Sequence, residues 1–563
     1  MVTGRKGEVY NQEVGIRPLY AGLAAVWEKA ALALFLMGFA VHALYLNVTA
    51  EDAFITFRFA RNLVRGAGLV WNAGESPVEG YTNFLWLLVS ALVIRLGLDA
   101  ALLTQILGVL ASLAALVLVY RFARDVLRLP PAPALAAPGL LALSGPFAAW
   151  AASSMETNLF ALLVLLGCYF FCLWVQRSSL PHLLAAQGAL LAATLTRPEG
   201  LLVYAVLAGA GFFLALYRPG RPALGRYLAA LLVYLVPFAV YFLWRYAYFG
   251  YLLPNTYYAK TGGGLAQYLR GAKYSLLFFV LFILPLAPLP LGLLWERGAA
   301  NSLRPPRSLR ALRDRVAENI GASVCLAVIL VYSAYIVYVG GDYMAMFRFY
   351  VPLLPLIYPL AGLLAWKLYQ QVSASVHKRG AIPWILLAAA ALTFLHSTPL
   401  EQGLYETPWF MHGTYRGVQH ERWHVARNRL AGEFFRRLRR SDDESLAVLG
   451  IGIIPYVTDM KVYSFHGIVD PQIAHRPTKK TIGAGVSGHE KVDFVSVILK
   501  KPTYIMVDTG DLYPEAQPFP DYPDEIDAFV RQHYELKAAW LHDRVNREAG
   551  FLMYLELKER PGR

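Results

Sequence analysis

Apolar runs recur along this chain, centred near residues 38, 110, 142, 166, 188, 207, 237, 283, 330, 359 and 388. Each approaches the helix length that crosses the hydrocarbon core of a bilayer, about 20 residues. Backbone in lipid has to satisfy its own hydrogen bonds, so such runs span as helices. The chain is therefore expected to be a polytopic membrane protein with about eleven spanning helices. Composition agrees: 57% of residues are hydrophobic and 16% charged, and the mean hydropathy of +0.43 lies outside the soluble range. The net charge of +14 would suggest nucleic acid in a soluble protein. Here it collects in the loops between apolar runs, so membrane topology accounts for it and nucleic acid is not expected as a partner. Cys168, Cys172 and Cys325 all lie inside apolar runs, which indicates no disulfide framework. Arg5, Lys6, Arg17 and Lys29 precede the first run. Although Val48-Thr49-Ala50 resembles a cleavage site, that run is longer than a signal-peptide core, and a retained anchor is expected.

One shorter apolar piece, 84–98, decides the topology of everything after it. If it spans, the later basic loops flip outward. If it lies in the interface, the basic loops near 121–128, 218–226, 297–315 and 367–379 all share the side of the N-terminus, as the positive-inside rule prefers. The organisation that follows is a cytoplasmic N-terminus (1–29), a transmembrane domain (30–396) with its first outer loop at 48–98, and an extracytoplasmic C-terminal domain (397–563). The 297–315 loop, with Pro305-Pro306, reads as a solvated basic linker. In this arrangement the polar motifs without a basic excess gather on the outer face: 51–83, 153–157, 196–200, 254–260 and 340–343.

The 51–83 loop opens with Glu51 and Asp52 where the first helix leaves the lipid. Ionisable groups at a membrane boundary mark either a water-filled site or simply a helix end. If 52–65 is helical, Arg58, Arg61 and Arg65 form one stripe while Phe54, Phe57 and Val64 turn toward lipid. A basic stripe beside a carboxylate suits a phosphate-bearing substrate, and it equally suits anionic headgroups. Arg197-Pro198-Glu199 sets two opposite charges at an outer boundary, where the arginine either meets phosphate or pairs with Glu199. Lys260 is a point charge for phosphate or an interfacial lysine beside Tyr257 and Tyr258. Asp342 follows two glycines and precedes Arg348, a spacing that also fits a salt bridge between helices.

Beyond residue 397 the pattern changes. Ser445 to Ile454, Lys461 to Phe465, Thr503 to Val507 and Phe551 to Leu557 read as strands, and Glu421 to Arg440 and Asp524 to Tyr534 as helices, giving a small α/β domain. His466 and Asp470 follow a strand, where loops often carry binding groups. Their spacing is not that of metal ligands, so no metal is assigned. No cofactor is assigned at all: a divalent ion is compatible with the chemistry, but no residue pattern supports one. No phosphate-cradling glycine-rich motif is present, so no nucleotide site is expected.

Glu51-Asp52, Arg58, Arg61-Asn62-Leu63, Gly66, Gly68, Val70, Asn72, Gly74-Glu75, Val78-Glu79 and Thr82 together resemble the first outer loop of the terminal arabinofuranosyltransferase family and its bacterial relatives, among them a pilin arabinosyltransferase. The family has the GT-C fold and uses lipid-phosphate-linked sugars. The resemblance extends through 153–157, 196–200, 254–260, 340–352 and 450–475. Glu51 stands where the family's usual double aspartate has its first member, which leaves Asp52 as the match for the catalytic carboxylate.

The resemblance implies a membrane α-helical bundle of GT-C type with interfacial helices in the first outer loop and a C-terminal α/β extracytoplasmic domain. It implies transfer of arabinofuranose from a polyprenyl phosphate to a glycan or glycoprotein outside a bacterial cytoplasmic membrane. Asp52, with Glu51 beside it, would be the catalytic acid pair, and Arg58, Arg197 and Lys260 would meet the donor phosphate. Glu79, Tyr81, Asn83, Asp342, His466 and Asp470 would bind sugar or acceptor. A donor carrying another sugar such as mannose is the alternative substrate, and a lipid-linked sugar transporter the alternative class. A transporter should carry its polar breaks near the bilayer midplane in related halves, whereas here they cluster at one face.

Overall fold

The computed structural model describes residues 8–217, 221–297, 308–372, 376–400, 414–477, 488–544 and 547–559. Arg5, Lys6, Arg218 and the Pro305-Pro306 pair lie outside the described residues.

Among the described residues the part before the C-terminal domain carries the α-helices α1 (Glu8–Tyr45), α2 (Ala53–Val64), α3 (Phe84–Arg95), α4 (Ala100–Arg121), α5 (Pro131–Leu143), α6 (Gly145–Ala151), α7 (Thr157–Arg177), α8 (Leu180–Thr196), α9 (Gly200–Leu216), α10 (Arg221–Phe249), α11 (Asn255–Lys260), α12 (Gly264–Phe278), α13 (Pro288–Arg297), α14 (Leu309–Glu318), α15 (Ile320–Val339), α16 (Leu354–Gln371) and α17 (Val376–Leu395). Among the described residues eight helices are long and apolar enough to cross a membrane, and α5 with α6, bent by 62°, makes a ninth candidate. Helices α8 and α9 have 17 residues each. Helix α3 has 12, a rise of about 18 Å against a hydrocarbon thickness of about 30 Å. Small residues let these helices approach closely: a Cβ on Gly108 of α4 would overlap the carbonyl oxygen of Ala151, and one on Gly271 of α12 that of Val337.

The C-terminal domain carries α18 (Thr414–Leu438), β1 (Ser445–Val448), α19 (Ile453–Thr458), β2 (Lys461–Ser464), α20 (Pro471–His475), α21 (Phe494–Ile498), β3 (Tyr504–Met506), β4 (Leu512–Tyr513), α22 (Asp524–His533), β5 (Tyr534–Asp543) and β6 (Glu548–Leu557). The sheet runs β2-β1-β3-β6-β4, with β5 also paired to β6. β1 is parallel to β2 and β3, whereas β6 is antiparallel to its partners. Ala447, Phe465, Ile505, Val530 and Leu555 are buried together in one of its cores.

Two expectations are corrected here. The segment 445–454, expected as one strand, stops at Val448, because the glycines at 450 and 452 break the extended run and helix α19 begins at Ile453. Strand β5, which was not anticipated, pairs with β6 from Tyr534↔Leu557 to Asp543↔Glu548.

A third correction concerns α2. Phe54 and Phe57, expected to face lipid, are buried and pack on Tyr456 of α19 at 5.5 and 6.0 Å between ring centroids. The arginine stripe faces the C-terminal domain as well: Arg61 donates to the Tyr456 carbonyl (2.8 Å) and, with Arg65, pairs with Asp459. Trp71 Nε1 and Asn72 Nδ2 both donate to the Val462 carbonyl at 3.0 Å. The first loop is thus fastened along the edge of the C-terminal domain.

Candidate active site

A cavity of about 540 Å³ opens where the ends of α2, α7, α9, α11 and α15 meet the C-terminal domain, and Asp52 lies on its wall. Asp52 occupies the cap position of α2 yet makes no capping hydrogen bond, so its carboxylate points elsewhere. The Tyr343 hydroxyl donates to Oδ1 at 3.0 Å, and Arg348 Nη1 approaches Oδ2 at 3.4 Å. The side chain keeps 19% of its exposure, enough to be reached from the cavity.

Burial alone would raise the Asp52 carboxyl. Arg348, Lys260, His489 and the Tyr343 hydroxyl outweigh it and hold the group below the usual carboxylate range. Lys260 shows the complementary balance: burial pulls its ammonium below the ordinary lysine value while Asp52 opposes the shift.

Tyr343 and Arg348 reach Asp52 because the chain reverses sharply after α15. Gly340 and Gly341 take φ of +86° and +72°, a left-handed turn open to residues without a Cβ. Met346 and Phe347 follow with φ of 66° and 46°, strain of the kind that concentrates at functional sites. Asp342 fixes the guanidinium of Arg348 through Nε–Oδ2 (2.7 Å) and Nη2–Oδ1 (3.0 Å). The pair read from sequence as a helix-pinning salt bridge therefore also sets a cation beside Asp52.

Across the cavity, Arg197 donates to Glu156 (2.7 Å) and Glu199 (2.9 Å), and Asn83 Nδ2 donates to the other Glu156 oxygen (2.8 Å). Lys260 lines the same cavity, and its side chain has no ion pair or hydrogen bond with another described residue. The hydroxyl of Tyr81, also on the wall, is likewise without a hydrogen-bond partner among them.

Asp52, Arg197, Lys260, Tyr81, Asn83 and Asp342 are thus brought together, and five other candidates are not. Arg58 is buried away from the cavity, donating to the carbonyls of Trp71 (2.9 Å), Pro455 (2.5 Å) and Met460 (2.9 Å) and to Asn72 Oδ1 (2.9 Å). Glu79 is buried in an ion pair with Arg245 of α10. Glu51 is buried against the C-terminal domain, with its carboxyl pushed up to about 8 by burial and by the neighbouring acids Asp52 and Glu421. Asp470 caps α20 and pairs with Lys500. His466 stands behind His489, ring centroids 4.9 Å apart, and burial pushes its imidazole down to about 4.

Sequence reasoning did not assign Glu156, Glu199, Tyr343, Arg348 or His489 to the site. The first four lie inside or beside motifs it singled out. His489 had no such signal: it stacks edge-on against Tyr343 at 4.6 Å from within the C-terminal domain. Among the described residues no group of three His, Cys, Asp or Glu side chains is placed to hold a metal ion.

Residues 415–554 match a family model described as a domain of unknown function, DUF8728. The chain is 29% identical over 347 residues to the terminal β-(1→2)-arabinofuranosyltransferase of Corynebacterium glutamicum, covering 55% of this chain and 47% of that protein. It is 30% identical over 337 residues to the protein of the same name from Mycobacterium tuberculosis, covering 55% and 52%. It therefore spans about half the length of the curated relatives it matches. The crystal structure of ArnT from Cupriavidus metallidurans bound to undecaprenyl phosphate superposes with a TM-score of 0.52 at 14% identity, over 95% of this chain and 99% of that one. The fold is that of the GT-C glycosyltransferases: a multi-pass membrane helical bundle with a C-terminal domain built on a sheet.

Proposed function

We propose that the chain is an integral membrane glycosyltransferase that moves an arabinofuranosyl unit from a polyprenyl phosphate to a glycan or glycoprotein on the outer face of a bacterial cytoplasmic membrane. The observation that carries this reading is that Asp52, held toward its charged form by its neighbours, lines the same cavity at the ends of the spanning helices as Lys260, which has no hydrogen bond or ion pair with another described residue. A lipid-linked sugar phosphate supplies what that pairing lacks: an anion for Lys260, a reacting carbon between the two, and a tail for the apolar wall at Leu201, Leu202 and Ala205. The likeness to named arabinofuranosyltransferases supports the choice of sugar.

In this reading the acceptor oxygen attacks the anomeric carbon as the bond from that carbon to phosphate oxygen breaks. Asp52 takes the hydroxyl proton, and the charge left on the departing polyprenyl phosphate is met by Lys260. Arg197 is held by Glu156 and Glu199, so it orders two carboxylates beside the sugar and adds positive field rather than a free donor. Tyr81, Asn83 and Asp342 face the sugar hydroxyls.

The test is transfer from synthetic polyprenyl-phosphoryl arabinofuranose to an arabinan oligosaccharide in detergent. Wild type should transfer, and Asp52→Asn should bind donor with turnover reduced by about 10²–10⁴-fold, the range for loss of a general base. Turnover equal to wild type would remove Asp52 from the chemistry. Absence of transfer by wild type, with transfer from a mannosyl donor instead, would replace the sugar.

A further inference from the structure

Chemistry at Asp52 leaves the placement of its neighbour unexplained. Glu51 turns away from the cavity, and its Oε1 accepts the backbone N–H groups of Gly452 (2.6 Å) and Ile453 (3.2 Å) where α19 begins. Its own N–H donates to Oε1 of Glu421 on α18 at 2.6 Å. On the other flank, the Ala50 N–H donates to the Ser153 carbonyl at 2.9 Å. A Cβ on Gly452 would overlap the Glu51 carbonyl oxygen and carboxyl carbon, so the two backbones meet closely only because that residue is glycine.

The peptide leading into Asp52 is therefore held by the C-terminal domain through both main chain and side chain. Asp52 itself makes no capping bond to α2, which frees its carboxylate for the cavity and removes the usual anchor of a helix start. We infer that Glu51 is a positioning residue rather than a second catalytic acid. With Glu421 and the turn at 450–453 it forms a latch by which the C-terminal domain fixes the backbone that aims Asp52. The inference rests on the role of Asp52 proposed above. A reacting group displaced by 1 Å can lose about 10²-fold in rate, so a latch at this place governs turnover without touching substrate.

The test uses the full chain in lipid nanodiscs and reads two quantities: backbone amide exchange in the peptide covering residues 48–56, and kcat and KM for the polyprenyl-phosphoryl sugar. Glu51→Ala should speed exchange in that peptide and lower kcat by about 100-fold with KM unchanged. Glu51→Gln, whose amide oxygen still accepts from Gly452, should recover both. Should Glu51→Ala not fold, Glu421→Ala, which removes the acceptor of the Glu51 N–H together with an acid that pushes the Glu51 carboxyl up, is read in the same way. Any of three results overturns the latch: Glu51→Gln as impaired as Glu51→Ala, exchange unaltered in Glu51→Ala, or faster exchange with kcat intact. If wild type transfers nothing from any donor, the proposed function fails while the exchange arm still decides the latch.

Discussion

At the scale of the residue, the site works through unequal neighbours. Asp52 and Glu51 are adjacent acids, yet Arg348, Lys260, His489 and Tyr343 hold the first below the usual carboxylate range, while burial and two nearby acids push the second up to about 8. Divergent environments of this kind separate an ionised base from a neighbour that stays protonated near neutrality. If Asp52 is the base of the proposed reaction, it is active above its own pKa. Removing a group that stabilises the carboxylate raises that pKa and moves the acid limb of kcat/KM to higher pH. Arg348 is its strongest favourable partner and Tyr343 the weakest of the named four. The acid limb should therefore move upward in both Arg348→Gln and Tyr343→Phe, and further in Arg348→Gln, as measured by pH–rate profiles on folded protein. That Asp52 and Lys260 line one cavity fits their place in the sequence, because a charge beside an apolar run has few places to go. The partners of Asp52 were not legible there, since Tyr343 and Arg348 reach it through a left-handed turn and His489 through tertiary packing.

At the scale of the element, α2 shows how a correct pattern can carry the wrong meaning. Its arginines do fall on one stripe, but the surface that stripe meets is the segment 455–462 of the C-terminal domain. Helical periodicity reports which side chains share a face and is silent on what covers that face. The two ends of the stripe should differ in worth. Arg58 is buried and bonds three carbonyls and an amide oxygen. Arg58→Met would leave those acceptors unpaired and should cost about 3 kcal/mol or more. Asp459 is 40% exposed and pairs with Arg61 and Arg65, so Asp459→Ala should cost about 1 kcal/mol or less. Denaturant unfolding of both variants in detergent checks the order, and equal losses would mean that the contact is held by the exposed ion pairs. The apolar runs gave the membrane helices readily, whereas β5 escaped notice because an edge strand of alternating polarity carries little signal beside the helix before it.

At the scale of the whole molecule, contacts made by Glu51 constrain topology more tightly than hydropathy does. The loop after α1 touches α18 and α19, so it shares a membrane face with the C-terminal domain, and the chain between them has to cross the bilayer an even number of times. Among the described residues, seven long helices after the first, the bent pair α5–α6 taken as one span, and the 17-residue helices α8 and α9 would make ten crossings. Counting α3 as well would make eleven and would put Asp52 and Glu421 on opposite faces. Parity thus leaves α3, at 12 residues, out of the count. If the positive-inside rule places Arg121, Arg124 and Arg128 inside, the C-terminal domain would lie outside together with the turns at 152–156, 197–199, 250–263 and 340–347, which contribute residues to the cavity. Single cysteines introduced at exposed positions in the C-terminal domain and beside Arg121 should therefore label with a membrane-impermeant maleimide in intact cells at the first site only. A reporter fused after residue 563 should be active only if it is one that works outside the cytoplasm, and cytoplasmic activity would reverse the orientation while leaving the count even.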